Sequence, residues 1–139
     1  MGVILDSNVF IIAERSKDPK KIGELIDQIP PEYGNEEVYL SVITASELLM
    51  GVHRATDPEI RNRRQLFVDR VLDQFPAISI SLGVARAHSR LCADLAIKGN
   101  PIGTHDSRIA ASALHGCHAV MTSNGREFSR VDGLKVIDI

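Results

Sequence analysis

Four oxygen-bearing side chains stand where this chain's pattern turns from apolar runs to polar ones: Asp6, Glu47, Asp106 and Asn124. Asp6 ends the run Val3-Ile4-Leu5, and Glu47 follows the run that starts at Val38. Asp106 comes after Pro101-Ile102-Gly103-Thr104, and Asn124 lies just beyond Ala119-Val120-Met121-Thr122. Each has an ordinary local use. Asp6-Ser7-Asn8 is a turn former, and Thr44-Ala45-Ser46-Glu47 matches a capping box. Asp106 complements a helix dipole, and Asn124-Gly125 is a turn signal. Taken together they point to chemistry. Three carboxylates brought to one place repel unless a cation lies among them. All-oxygen donors suit Mg²⁺ or Mn²⁺ rather than zinc. Such an ion orients water, lowers its pKa and neutralises charge on a phosphodiester, so the expected reaction is metal-assisted phosphodiester hydrolysis.

The elements that must position these groups are short strands alternating with helices. Val3-Ile4-Leu5 is wholly apolar, which favours a strand buried on both faces of a parallel sheet. Further strands are expected at Val38–Val42, Ala77–Ile80, Ala119–Thr122 and Leu134–Ile137. Helices are expected over Val9–Glu14, from Asp18-Pro19 to Pro30, over Thr44–Ala55, and from Asp57-Pro58 through Phe75. Two more follow, one capped by Ser81 and ending at Gly99, the other starting at Thr104. The pattern predicts one α/β domain over residues 1–139, with a mostly parallel sheet of four or five short strands between helical layers. In such sheets functional groups collect at the carboxyl ends of the strands, where all four side chains fall.

The chain resembles the PIN-domain ribonucleases, specifically the VapC-type toxins of type II toxin–antitoxin pairs. The resemblance rests on Ile4-Leu5-Asp6-Ser7-Asn8, on Ser41 to Leu48, on Pro101 to Ala111, and on Thr122 to Phe128, in that order across nearly the whole chain. It implies a three-layer α/β/α domain, usually a homodimer, with Mg²⁺-dependent endoribonuclease activity. Its three acidic positions fall on Asp6, Glu47 and Asp106. Ser7 stands where Thr is common and keeps the hydroxyl. Asn124 stands where many PIN domains have a fourth acid, leaving a second metal site short of a carboxylate. The resemblance further implies a cognate VapB-type antitoxin, a toxin–antitoxin hetero-oligomer, and tRNA or rRNA as target, with inhibition of translation and growth. Asp6 and Asp106 are then expected to carry the main metal contacts. Glu47 is expected to hold or deprotonate the attacking water, and Ser7 and Asn124 to orient these groups.

Composition bounds the alternatives. The chain has 139 residues, a net charge of −2 and 44% hydrophobic residues, which excludes a disordered chain. No apolar run approaches the roughly 18–20 residues of a membrane span, and Asp6 interrupts any signal-peptide core, so a cytoplasmic protein is expected. Cys92 and Cys117 form no close pair, and Cys92 reads as a small buried hydrophobe. His115, Cys117 and His118 offer too few ligands for a zinc site. An acidic pocket needs a cationic rim to receive RNA. Arg108 and Arg126, close in sequence to site residues, are candidates for phosphate contact, and Arg61, Arg63 and Arg64 form a further basic cluster. With two Tyr, four Phe and no Trp, recognition is expected to rest on backbone charge and RNA shape rather than base stacking. Asn124 also allows a second reading: a catalytically impaired PIN-like module that binds RNA or antitoxin. A phosphorylation receiver domain fits poorly, because the first strand offers one acid, not two, and no Lys follows Thr122.

Overall fold

A computed structural model describes residues 1–139. Its chain order is β1 (Gly2–Leu5), α1 (Ser7–Ser16), α2 (Lys21–Ile26), a single 3₁₀ turn (Pro31–Tyr33), β2 (Glu37–Ser41), α3 (Val42–Arg54) and α4 (Pro58–Gln74). Then follow β3 (Ala77–Ile78), α5 (Leu82–Ile97), α6 (Thr104–Gly116), β4 (Ala119–Thr122), α7 (Gly125–Phe128) and β5 (Lys135–Asp138). The strands form one sheet in the order β3-β2-β1-β4-β5, and every pairing is parallel.

Period-two alternation sends each central strand's side chains to opposite faces, and both faces are apolar. Val3, Leu5 and Met121 pack with Phe10, Val52, Val68 and Phe75 on one side. Ile4 and Val120 pack with Leu91, Leu95, Ile109 and Phe128 on the other. Helices α1–α4 thus cover one face and α5–α7 the other, giving the three-layer α/β/α fold expected from sequence. Ala110, Ala111 and Ala113 are fully buried on α6. Their small side chains let that helix lie close to α5 and to the sheet.

Several boundaries move from their expected places for local reasons. Ser41, at the end of β2, caps α3: its hydroxyl accepts the Ile43 N–H at 3.1 Å. The helix therefore starts at Val42, and Glu47 lies in its second turn, beyond reach of a capping box. Asp18 accepts the Lys20 N–H at 2.9 Å in a turn before α2. That helix spans only Lys21–Ile26, well short of Pro30. Asp57 and Ser81 cap α4 and α5 as expected. Both cysteines are free, and Cys92 is half-buried beside His88.

Phe128, fully buried, anchors the one-turn helix α7. Phe128→Ala is expected to cost about 3–5 kcal/mol of unfolding free energy, measurable by urea titration. A change below about 1 kcal/mol would show that α7 is not held by this side chain.

Candidate active site

Asp6 sits at the carboxyl end of the central strand β1 with 3% of its surface exposed. Its N–H donates to the Met121 carbonyl at 2.9 Å, extending the β1–β4 ladder by one residue. One carboxylate oxygen accepts the Ser7 N–H at 2.8 Å, so Asp6 is also the N-cap of α1. The other accepts the Thr122 hydroxyl at 2.8 Å. Burial pushes the Asp6 carboxyl above its ordinary range; the Thr122 and Ser7 hydrogen bonds pull it back, and the charge of Glu47 raises it further.

Thr122 is a junction. Its hydroxyl oxygen also accepts the Asn8 side-chain amide at 3.2 Å and the Asn124 N–H at 2.9 Å. Asn8 in turn accepts the Ser123 N–H at 3.1 Å. The β4–α7 turn is thereby fixed against the β1–α1 turn.

Asp106 lies in the first turn of α6, whose N-cap, Gly103, offers no side-chain acceptor. Asn124 reaches it through its amide nitrogen at 3.4 Å and donates to Glu127 at 2.6 Å. Glu127 also accepts the Gly103 N–H at 2.7 Å, tying α7 to the start of α6. These contacts split the two acids. Burial, the charges of Asp6 and Glu127, and a hydrogen bond to Glu127 push Asp106 up to about 6. The donors from Gly103 and Asn124 hold Glu127 below its ordinary value.

Of the residues singled out from sequence, Asp6, Ser7, Asp106 and Asn124 are thus joined in one network, and Glu47 is within electrostatic reach of Asp6. Glu47 itself pairs with His105 Nδ1 across the α3–α6 gap. As placed, no three His, Cys, Asp or Glu side chains stand close enough together to hold a metal ion between them. The carboxylates are a loose group, each partly engaged by hydrogen-bond donors. Their chemistry nonetheless fits a hard divalent cation: all donors are oxygen, and Asp106 is pushed up by neighbouring charge that a cation would offset.

Sequence reasoning missed four members. Glu127 supplies a carboxylate beside Asn124; its one-turn spacing, in Asn124-Gly125-Arg126-Glu127, was the available signal. Thr122, Asn8 and His105 were passed over because their partners lie far along the chain. Among the basic candidates, Arg126 is exposed and Arg108 half-buried, and neither forms an ion pair. The Arg61–Arg64 cluster divides. Arg61 donates twice to the Ala55 carbonyl, and Arg64 pairs with Glu14 at 2.8 Å while donating to the Gly51 carbonyl. Those two hold helices together, which leaves Arg63 as the unengaged member.

The raised Asp106 carboxyl has a consequence for stability. The folded chain binds this proton more tightly than the unfolded chain, so its contribution falls as pH rises from about 4 through about 6. Asp106→Asn abolishes that titration. In EDTA, its thermal midpoint should gain on the wild type's between pH 4.5 and pH 7.5. Parallel midpoint–pH curves for the two proteins would contradict the reading.

Comparison with known proteins agrees with this architecture. The PIN domain family matches residues 3–134. Ribonuclease VapC1 of Rickettsia felis is 31% identical over 139 residues, covering all of this chain and 97% of that protein. The tRNA(fMet)-specific endonuclease VapC of Salmonella typhimurium is 29% identical, covering 97% of this chain and 96% of its own. Among solved structures, VapBC-1 from nontypeable Haemophilus influenzae aligns with a TM-score of 0.80 at 27% identity, over 99% of this chain and 98% of that one. The DNA-bound VapBC2 of Rickettsia felis has the same fold, with a TM-score of 0.85 at 24% identity over 100% and 99% of the two chains. A chain with this sheet, this network at its carboxyl edge and these relatives belongs to the PIN-domain family, in its VapC-type branch.

Proposed function

We propose that this protein is a Mg²⁺- or Mn²⁺-dependent endoribonuclease toxin. It cleaves phosphodiester bonds in tRNA or rRNA, thereby inhibiting translation and growth in the cytoplasm. The observation that carries this is the network joining Asp6, Asp106, Asn124 and Glu127 at one edge of the sheet, with Glu47 close by. The names of the relatives, a VapC ribonuclease and a tRNA(fMet)-specific endonuclease, support the substrate class. The VapBC complexes among the structural relatives support a cognate VapB-type antitoxin; a homodimer within a toxin–antitoxin hetero-oligomer completes the proposed assembly.

Asp6 and Asp106 would hold the ion, with Glu47 and Glu127 on its flanks. When bound, the ion supplies charge neutralisation at the phosphate and a lowered pKa for water. The remaining work belongs to the chain. Thr122 and the Ser7 N–H keep the Asp6 carboxylate aimed and favour its charged form against the effect of burial. Asn124 sets the spacing of Asp106 and Glu127. Glu47 would accept the proton of the attacking water as oxygen adds to phosphorus; the bond to the leaving sugar oxygen breaks, and that oxygen takes up a proton from solvent. Arg108 and Arg126 meet the flanking phosphates. Glu127 weighs against the catalytically impaired module, because it brings a further carboxylate beside Asn124.

The test is cleavage of total tRNA and rRNA with Mg²⁺ and with EDTA. Cleavage should require Mg²⁺ and fall by about 100-fold or more in Asp6→Asn and in Asp106→Asn. Wild-type rates in either variant, or cleavage undiminished in EDTA, would sink the proposal. RNA binding should weaken steeply with salt. Arg108→Ala and Arg126→Ala should each flatten the log–log slope by about 0.7, the share of one phosphate contact on single-stranded RNA. A salt-independent affinity would exclude backbone recognition.

A further inference from the structure

We infer that His105 is a positioning residue for Glu47, holding that carboxylate at the pocket by one oxygen while the other stays free for the ion or the attacking water. This rests on the proposed reading of the pocket as a divalent-cation site. Three observations carry it. First, His105 Nδ1 pairs with Glu47 Oε1, and Glu47 Oε2 has no partner in the chain. Second, the two residues come from different helices, Glu47 from α3 and His105 from α6, and they are 58 positions apart. The contact therefore ties Glu47 to the first turn of α6, the turn that also carries Asp106. Third, the turn that carries His105 is itself immobilised. The Ser107 hydroxyl donates to the Thr104 carbonyl at 2.8 Å and pairs with His88 Nε2 at 3.0 Å. Because Ser107 gives its only proton to Thr104, His88 must be the donor in that second bond.

The pair is not placed to stabilise the fold. The His105 side chain is 48% exposed and that of Glu47 25%, and pairs this open to water contribute little to stability. What it does supply is restraint. A glutamate on a helix surface has several rotamers, and a single fixed donor selects the one facing the pocket. This is how residues behind a metal ligand usually act, and their loss typically costs about 10–100-fold in affinity or rate.

The chemistry of the imidazole makes the test discriminating. An Asn amide places its nitrogen near the position of Nδ1, whereas a Gln amide places it near Nε2, out of reach of Glu47. Mn²⁺ affinity of the full chain is measured by the loss of the free-ion electron paramagnetic resonance signal, with no RNA present. His105→Ala and His105→Gln should weaken Mn²⁺ binding about tenfold. His105→Asn should stay close to wild type, and all three should keep the wild-type thermal midpoint. In a Glu47→Ala background, His105→Ala should add no further loss. Unchanged or tighter Mn²⁺ binding by His105→Ala, equal behaviour of the Asn and Gln variants, or additive losses with Glu47→Ala would overturn the inference. The two readings fail separately. If the affinities follow this pattern while wild-type protein cuts no RNA, the positioning role stands and the nuclease reading falls. If RNA is cut while the affinities do not move, the reverse holds.

Discussion

The hydrogen bond from Thr122 to Asp6 is the contact on which the site depends. It crosses from the end of β4 to the end of β1, adjacent parallel strands whose register is Leu5 opposite Met121. A carboxylate this deeply buried persists in an ionisable form only when donors replace the water it has lost. Asp6 has two, the Thr122 hydroxyl and the Ser7 N–H. The same threonine oxygen then receives Asn8 and Asn124, so one side chain sets the positions of two turns. A shift of one residue in the β1–β4 register would send Asp6 to the opposite face of the sheet and dismantle all of it.

How much of this was legible in the sequence depends on the range of the signal. Strand runs and most caps are local, so the α/β alternation, the parallel sheet, and the Asp57 and Ser81 caps could be read directly. Asp6 and Asp106 could be placed because each follows a punctuated boundary, where strand ends and helix starts bring groups to one edge. Glu47 was located in the right helix but in the wrong turn, since Ser41 competed successfully with Thr44 for the capping role. Thr122, Asn8 and His105 were hidden because they act through partners up to 116 residues away, and no periodicity reports such pairing; Glu127 did carry a local signal, its one-turn spacing from Asn124. The arginine cluster shows the same limit. Arg61, Arg63 and Arg64 look equivalent as charges, yet two of them serve as ties between neighbouring elements and only one remains for an outside anion.

Electrostatics explains how a chain of net charge −2 suits an anionic substrate. The acids at the carboxyl edge are arranged in unequal pairs. Glu127 is supplied with donors and held low, while Asp106, partly buried and with one long contact from Asn124, is pushed up to about 6. Asp106 therefore holds its proton more tightly than an isolated aspartate does, and a cation beside it would favour the charged form. Arg108 and Arg126 stand outside these pairings, unneutralised. Acidic and basic groups are thus kept apart: the carboxylates are tied into one network, while Arg108 and Arg126 form no ion pair.

The central position of β1 has a further consequence. Along the chain β1 comes before the other four strands yet lies in the middle of the sheet, and one flank, β4, follows only after α6. Since Asp6 needs Thr122, and Asp106 faces Glu127, no nascent chain that stops before Glu127 contains a finished pocket. The strand order thereby acts as a timer: it delays assembly of the site until β4 and α7 have both been made.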